Sequence, residues 1–472
     1  MARTASSPRW TLGLTSVAFF MIALDALVVA TSLPAIQHDL KVGVSTLEWT
    51  VNTYALPYAA GIVTAAALGD RFGRRRVFTL GLGVFTLASA ACALAPNVGL
   101  LLAARALQGV GAAAVMPLSL TILTAAFPAE RRGAVVGAWG AIGGLAVASG
   151  PVIGGAITQG IDWHWIFWVN VPIGAAAVLL SRIRLAETRG PAAPLDLPGL
   201  ALVTTAASLL VWALVRSGAA GWGSAEVVST LIAGALLLAG FVSWERRAAA
   251  PMLPLDLFAD RTFTAANATA FLMTAAIMAA AFLVAQYFQF ARGNSPLGTG
   301  LRLLPWTATP ILVAPAAGAL SDRIGPRPVM ASGMLLQALG LAWFAEQATT
   351  GAGYGGLVAP LVIAGVGISM AIPTTPAAAL SSVPAAALGK ASSTNTTLQR
   401  FGGAFGVALA TAVFAAHGHL GSPASFDAGF RPALAVAAGL SLLGSGCALL
   451  AAPRRRTQKL ASDVVAPVAI EA

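Results

Sequence analysis

Asp25 and Arg105 are the residues of this sequence best suited to chemistry, because each is an ionisable side chain set inside a long apolar run. Asp25 lies in MIALDALVVATSLP (21–34) and Arg105 in LLAARALQGVGAA (101–113). A charge at the centre of a membrane-spanning helix costs about 2.5–3.5 kcal/mol on insertion scales, so it is kept where it faces a cavity, a partner or a water path. Gln108, three residues after Arg105, shares its helical face. An acid set against a base away from bulk water can take up and release a proton as water access alternates. The plainer alternative is a static structural ion pair.

The runs that hold these residues recur along the whole chain. Of 472 residues, 57% are apolar and 10% charged, and the mean hydropathy is +0.81. A soluble chain of this length carries more charge and shorter apolar stretches. Windows long enough to cross the hydrocarbon fall at 11–33, 49–68, 77–95, 98–123, 134–157, 164–182, 197–216, 226–244, 263–290, 300–320, 329–346, 355–376, 392–417 and 431–451. The first lacks a cleavage site after a short core and is expected to be a retained span. The class is an all-α membrane protein with fourteen spans.

The cations orient it. Twenty-one of the 28 Lys and Arg residues fall on the side of the N-terminus and five on the other, with Arg105 and Arg400 inside spans. The positive-inside rule then places both termini in the cytoplasm. A net charge of +11 is therefore loop charge at the ends of spans, not a nucleic-acid surface. Arg400, about eight residues into its span, is expected to snorkel or pack. Cys92 and Cys447 are expected to be small buried hydrophobes, and no disulfide or metal spacing is present.

On Asp25 and Arg105 the spans impose a depth. Asp25 stands about eight residues before the outer end of its span and Arg105 about seven after the outer start of its own. At 1.5 Å per residue both lie ~10–12 Å below the outer surface, where they can pair.

An internal repeat divides the chain. GDRFGRRRV (69–77) recurs as SDRIGPRPV (321–329), with Asp70, Arg71, Gly73, Arg75 and Val77 matching Asp322, Arg323, Gly325, Arg327 and Val329 at a constant offset of 252. Leu56-Pro57-Tyr58 recurs as Leu304-Pro305-Trp306 with a four-residue shift. The expected units are a six-helix bundle over 1–189, a linker over 190–262 with two extra helices, a second six-helix bundle over 263–453 and a tail over 454–472. Two six-helix halves enclosing a midplane site are a transporter plan.

Several motifs add to this. The loop at 69–77 resembles the signature G-x-L-x-D-R-x-G-R-[KR] of the major facilitator superfamily, with Ala66 in place of its first glycine. Leu101–Ala113 fits the fourth-span pattern L-x-x-x-R-x-x-Q-G-x-G-A-A of that superfamily's fourteen-span drug:proton antiporter family. LDALVVATSLP (24–34) resembles its first-span motif L-D-x-T-x-x-N-x-A-L-P, but Leu27, Ala30 and Ser32 replace Thr, Asn and Ala, so the polar decoration beside the acid is expected to be thin. AVASGPVIGG (146–155) resembles the fifth-span antiporter motif, with Gly150, Pro151, Gly154 and Gly155 intact and Ala146 replacing one glycine. WHWIFWVNVPIG (163–174) resembles the start of the sixth span, and Trp163, Trp165 and Trp168 also suit an interfacial belt.

The resemblance covers essentially the whole chain, and it extends to antibiotic and multidrug efflux transporters of actinobacteria. It implies the major facilitator fold and proton-coupled export of amphipathic drug- or antibiotic-like molecules. Asp25 would carry the proton with Arg105 as its partner. Asp70, Arg71, Gly73, Arg75, Asp322 and Arg323 would form a conformational gate, with Asp70 facing the start of a second-half helix. Asn52, Tyr54, Gln108, Gln286, Tyr287 and Gln289 are candidates for the substrate cavity. The alternatives are a proton symporter that imports a metabolite, and a membrane sensor that transports nothing. No Walker loop, nucleophile elbow, zinc helix motif or dinucleotide fingerprint occurs, so neither ATP, another cofactor nor enzymatic chemistry is expected. The expected partners are a small molecule, protons and the lipid bilayer, for a monomer. The excess of Arg over Lys with abundant Ala and Gly points to a GC-rich bacterial genome.

Overall fold

Inside the hydrocarbon no water bonds free N–H and C=O groups, so a chain that crosses it repeatedly must satisfy them within each segment, as a helix does. The computed structural model describes residues 7–190, 195–249, 251, 253, 255–348, 353–383, 387–419 and 422–452, and among these the extended elements are all helical. Arg3 and the expected tail at 454–472 lie outside the described residues.

The first half runs α1 (Pro8–Leu40), α2 (Val44–Phe72), α3 (Arg74–Ala93), α4 (Val98–Ala125), α5 (Ala129–Gly160), α6 (Trp165–Trp168) and α7 (Asn170–Arg184). Next come α8 (Leu197–Ala220) and α9 (Ala225–Glu245), packed on each other. The second half holds α10 (Arg261–Gln286), α11 (Pro296–Thr307), α12 (Thr309–Ile324), α13 (Pro326–Gln347), α14 (Tyr354–Ser381), α15 (Leu388–His417) and α16 (Pro423–Leu449). With α6–α7 and α11–α12 each forming one span, 14 segments are long and apolar enough to cross a membrane. Side-chain oxygens of Asn97, Asp196, Ser224, Asp260, Ser295 and Ser422 each accept the N–H three residues on and so start six of the helices.

Proline explains the broken spans. Pro310 has no N–H for the Trp306 carbonyl, so the helix divides at Ala308, and Thr309 Oγ1 bonds that carbonyl at 2.7 Å. This break falls in the four extra residues of the second repeat; α2 runs unbroken through Pro57. The ends also differ from the apolar windows. The helix α1 continues seven residues past Leu33, through Pro34 to Leu40, and α16 begins at Pro423 instead of 431. The added turns carry polar residues such as Gln37, His38 and Asp39, which hydropathy windows exclude.

The sequence repeat is also a repeat of backbone geometry. Gly73 (φ 113°) joins α2 to α3, and Gly325 (φ 91°) joins α12 to α13. Each donates its N–H at 2.9 Å to the carbonyl four residues back, Gly69 in one case and Ser321 in the other. A left-handed φ of this kind is open to glycine at little cost. Between the halves, α2 packs on α15, and α8 closes over that seam with Val211, Leu214 and Val215 against Leu56, Ala404 and Ala408.

Candidate functional site

Four helices of the first half and the α6–α7 span converge on Asp25. Arg105 Nη1 donates to Asp25 Oδ2 at 2.5 Å and to Gln108 Oε1 at 2.6 Å, and its Nε donates to the Thr50 carbonyl at 3.1 Å. Gln108 Nε2 donates to Asp25 Oδ1 at 2.8 Å and to Ser89 Oγ at 2.9 Å. Asn170 Nδ2 completes the set, 3.2 Å from Asp25 Oδ1 and 3.1 Å from Ser89 Oγ. The Arg105 guanidinium lies 4.2 Å from the centroid of the Tyr54 ring. Asp25 is 2% exposed and Arg105 1%. A buried ion pair repays its desolvation when further lone pairs and protons are bonded; here the two amides donate to Asp25 Oδ1, and the Thr50 carbonyl and Gln108 Oε1 accept from Arg105.

Asn170 and Ser89 were not singled out from the sequence. Asn170 begins α7 where the sixth span is interrupted two residues before Pro172, which was the available signal. Ser89 offers none, since serines are frequent in these helices. Although α1 runs on past Leu33 in polar turns, Asp25 and Arg105 meet directly.

The Asp25 network faces into the first bundle and does not line the space between the halves. That space is a narrow apolar pocket, part of it open to the surroundings, lined by Leu27, Ala30 and Thr31 of α1, Pro151 of α5, Ile277 of α10 and Trp306 of α11 among others. Two residues turn a helix by about 200°, so Leu27 and Asp25 occupy nearly opposite faces. The Leu27 and Ala30 departures therefore change the pocket wall, and the surroundings of the acid are polar after all.

The glycines at 150–155 work on two sides of α5. A Cβ on Gly150 would stand 2.9 Å from Leu27 Cβ, and one on Gly154 2.8 Å from the Val28 carbonyl oxygen, so both seat α5 on α1. On Gly155 it would stand 2.8 Å from Leu297 Cα, and Gly300 of α11 meets the Pro151 backbone in the same way. Hydrogen bonds join the halves at this end, away from the arginine-rich loops. Gln289 Nε2 donates to the Thr31 carbonyl at 2.8 Å, and the Leu297 N–H donates to Gln159 Oε1 at 3.2 Å.

At the arginine-rich end, Arg74 Nε bonds Asp70 Oδ1 at 2.8 Å, and the Gly190 N–H donates to the Asp70 carbonyl. The Glu187 carboxylate receives the Arg75 N–H at 3.0 Å and lies 3.6 and 3.8 Å from the Arg75 and Arg76 side chains. Asp70 was expected to face a second-half helix; in this arrangement it is held within the first half by Arg74 and residue 190. Arg71 points outward over Phe72, and Asp322 and Arg323 are exposed at the end of α12. Glu187, 112 residues beyond Arg75, was legible only as one acid among loop cations.

Other candidates separate. Tyr287 is fully buried in an aromatic cluster of the second half, stacked on Phe430 at 4.9 Å, so it is not part of the pocket wall. Asn52 and Gln286 are buried with both amide atoms unbonded. Trp163 is 3% exposed and donates to Asp39 Oδ2 at 3.0 Å, so it is no belt residue, while Trp165 is exposed. Arg400 does not snorkel: its guanidinium lies 4.5 Å from the centroid of the Tyr58 ring, across the α2–α15 seam.

Against known families, the chain matches the profile of the Major Facilitator Superfamily over residues 15–294 and 264–467. The chain belongs to the major facilitator superfamily. This facilitator is 34% identical to the tetracenomycin C resistance and export protein of Streptomyces glaucescens, over 84% of its own length and 73% of that protein. It is 36% identical to the multidrug resistance protein Stp of Mycobacterium tuberculosis, over 86% of its length and 76% of that protein. In fold the facilitator is similar to a peptide transporter POT solved with sulfate (TM-score 0.67, 18% identity, 93% and 94% of the two chains) and to an auto-inhibited POT family peptide transporter (0.70, 16%, 96% and 98%). It is a multi-pass protein of the cell membrane.

Proposed function

We propose that this facilitator exports amphipathic, drug- or antibiotic-like small molecules in exchange for protons, by alternating access across the cytoplasmic membrane, with both termini in the cytoplasm. The observation that carries the reading is that α1 bears three features at once. Asp25 sits on one face, the pocket residues Leu27 and Thr31 on another, and the Thr31 carbonyl holds Gln289 of the opposite half. The relatives named for tetracenomycin C export and multidrug resistance support the class of cargo.

A proton on Asp25 removes the charge that offsets Arg105. The guanidinium then keeps Gln108 Oε1, the Thr50 carbonyl and the Tyr54 ring, so the tie from α1 to α4 weakens while α4 stays packed. Freed from α4, α1 can move with α5, to which Gly150 and Gly154 fit it, and carry the pocket wall and the Gln289 contact along. The signature loop, clamped by Asp70–Arg74 and Glu187, would limit where α2 and α3 can swing, and the glycine turn at 325 would do so in the other half. The membrane potential supplies ~2.3 kcal/mol per charge per 100 mV and a pH gradient adds to it, so the cycle needs no nucleotide. Each half provides one wall of the pocket, and we read the transporter as a monomer in the bilayer.

The test is Asp25→Asn in inverted vesicles. Efflux driven by a pH gradient should vanish while the protein remains in the membrane at the wild-type amount. Undiminished pH-driven transport by this variant would remove Asp25 as the proton carrier, and protons moving in the same direction as cargo would exclude exchange.

A further inference from the structure

We propose that Arg400 and Tyr58 form a receiving site for an acidic group, a carboxylate or phenolate, on the transported molecule; this rests on the export reading above and adds the substrate class. Arg105 and Arg400 both lie well inside membrane spans, and they are accommodated differently. Arg105 has Asp25 Oδ2 at 2.5 Å. Arg400 has no ion pair among the described residues; its guanidinium rests on the face of Tyr58 at 4.5 Å from the ring centroid. Its Nε is enclosed without an acceptor, while the side chain as a whole keeps part of its surface open.

Polar capacity beside it is left over. Among the described residues Oγ1 of Thr397, three residues before Arg400 on the same face of α15, has no hydrogen-bond partner. The Tyr58 hydroxyl lies against the Arg400 side chain, from which it can only accept, so its own proton is still to be donated, and both residues are 0% exposed. A guanidinium can only donate, and both hydroxyls are able to donate. A cation–π contact offsets part of the cost of the charge and leaves Nε without an acceptor. An oxyanion is the ligand that satisfies the guanidinium fork and neighbouring hydroxyls together.

The position suits a substrate on its way to the proton site. Arg400 belongs to the second half and Tyr58 to the first, so the site spans the seam. The Tyr58 ring meets Tyr54 at 5.6 Å, and Tyr54 lies beneath Arg105. Tyr58 is one helical turn closer to the arginine-rich end than Tyr54, so a molecule arriving from that end reaches Arg400 before it reaches the Asp25 network.

The experiment uses the purified full chain in nanodiscs and two dyes, rhodamine B with a free carboxylate and its ethyl ester. Fluorescence polarisation should show the acid binding about tenfold or more tightly than the ester. Arg400→Gln should abolish the preference and leave ester binding unchanged, which also reports a folded protein. Tyr58→Phe keeps the ring beneath the guanidinium and should reduce acid binding several-fold without affecting the ester. Equal binding of the two dyes by the wild type, no binding of either, or an undiminished preference in both variants would overturn the proposal. A normal preference combined with no pH-driven efflux would instead leave this site standing and sink the export reading.

Discussion

Arg105 Nη1 stands 2.5 Å from Asp25 Oδ2 across 80 residues of sequence, and both side chains are almost fully enclosed. Gln108 bridges them by accepting from the arginine and donating to the acid. Such a pair is two-sided in its energetics. Removing either charge alone leaves the other buried without compensation, at about 3–5 kcal/mol, whereas removing both together costs far less. Asp25→Asn and Arg105→Gln should therefore each lower thermal stability in detergent, and the double variant should be more stable than the sum of the two losses. Strict additivity would show that the pair is uncoupled.

Asn170 reaches Asp25 from the sixth span and also bonds Ser89. Asn170→Leu keeps the branching of the side chain but removes the donors to the carboxylate and to the hydroxyl. The expected cost is about 1–3 kcal/mol of stability. Thermal unfolding in detergent measures it, and an unchanged melting temperature would show that these two hydrogen bonds contribute nothing to the fold.

Gly155 allows the α5 backbone to touch α11, with no space for a side chain. Gly155→Leu should keep the two halves apart at the end away from the arginine-rich loops. Spin labels attached through His38→Cys and His417→Cys, both exposed positions at that end, in a background with Cys447 replaced by Ala, should report a longer distance in the variant. Transport should fall even though the Asp25 network is untouched. An unaltered distance distribution would refute the role of this contact in closure.

Gly73 and Glu187 test the signature loop. Gly73 has φ 113° and faces the Glu187 carboxyl, 2.7 Å from where a Cβ would be. Gly73→Val combines backbone strain with that collision and should cost clearly more stability than Glu187→Gln. The glutamate's ion pairs are partly exposed, and pairs of that kind are worth about 0–1 kcal/mol. Equal melting shifts for the two variants would contradict this order.

Hydropathy and charge in the sequence sufficed for the class and the fourteen spans, because a helix crossing hydrocarbon must be long and apolar and its loops collect cations, and matching residues in two loops sufficed for the repeat. They also sufficed to single out Asp25, Arg105 and Gln108, since polar groups are rare and expensive in such helices. Tertiary structure alone decided which groups surround them. Asn170 and Ser89 join Asp25 from helices whose rotation no single-helix pattern specifies, and Leu27 turned out to face the pocket while Asp25 faces the bundle. It likewise moved Tyr287 from the expected cavity into an aromatic core and, of the two fates expected for Arg400, snorkelling or packing, selected packing, on Tyr58 of the opposite half. Facing depends on how neighbouring helices rotate and pack. A span that is apolar all round carries little of that information in its own sequence, because lipid and protein interior solvate the same side chains equally well.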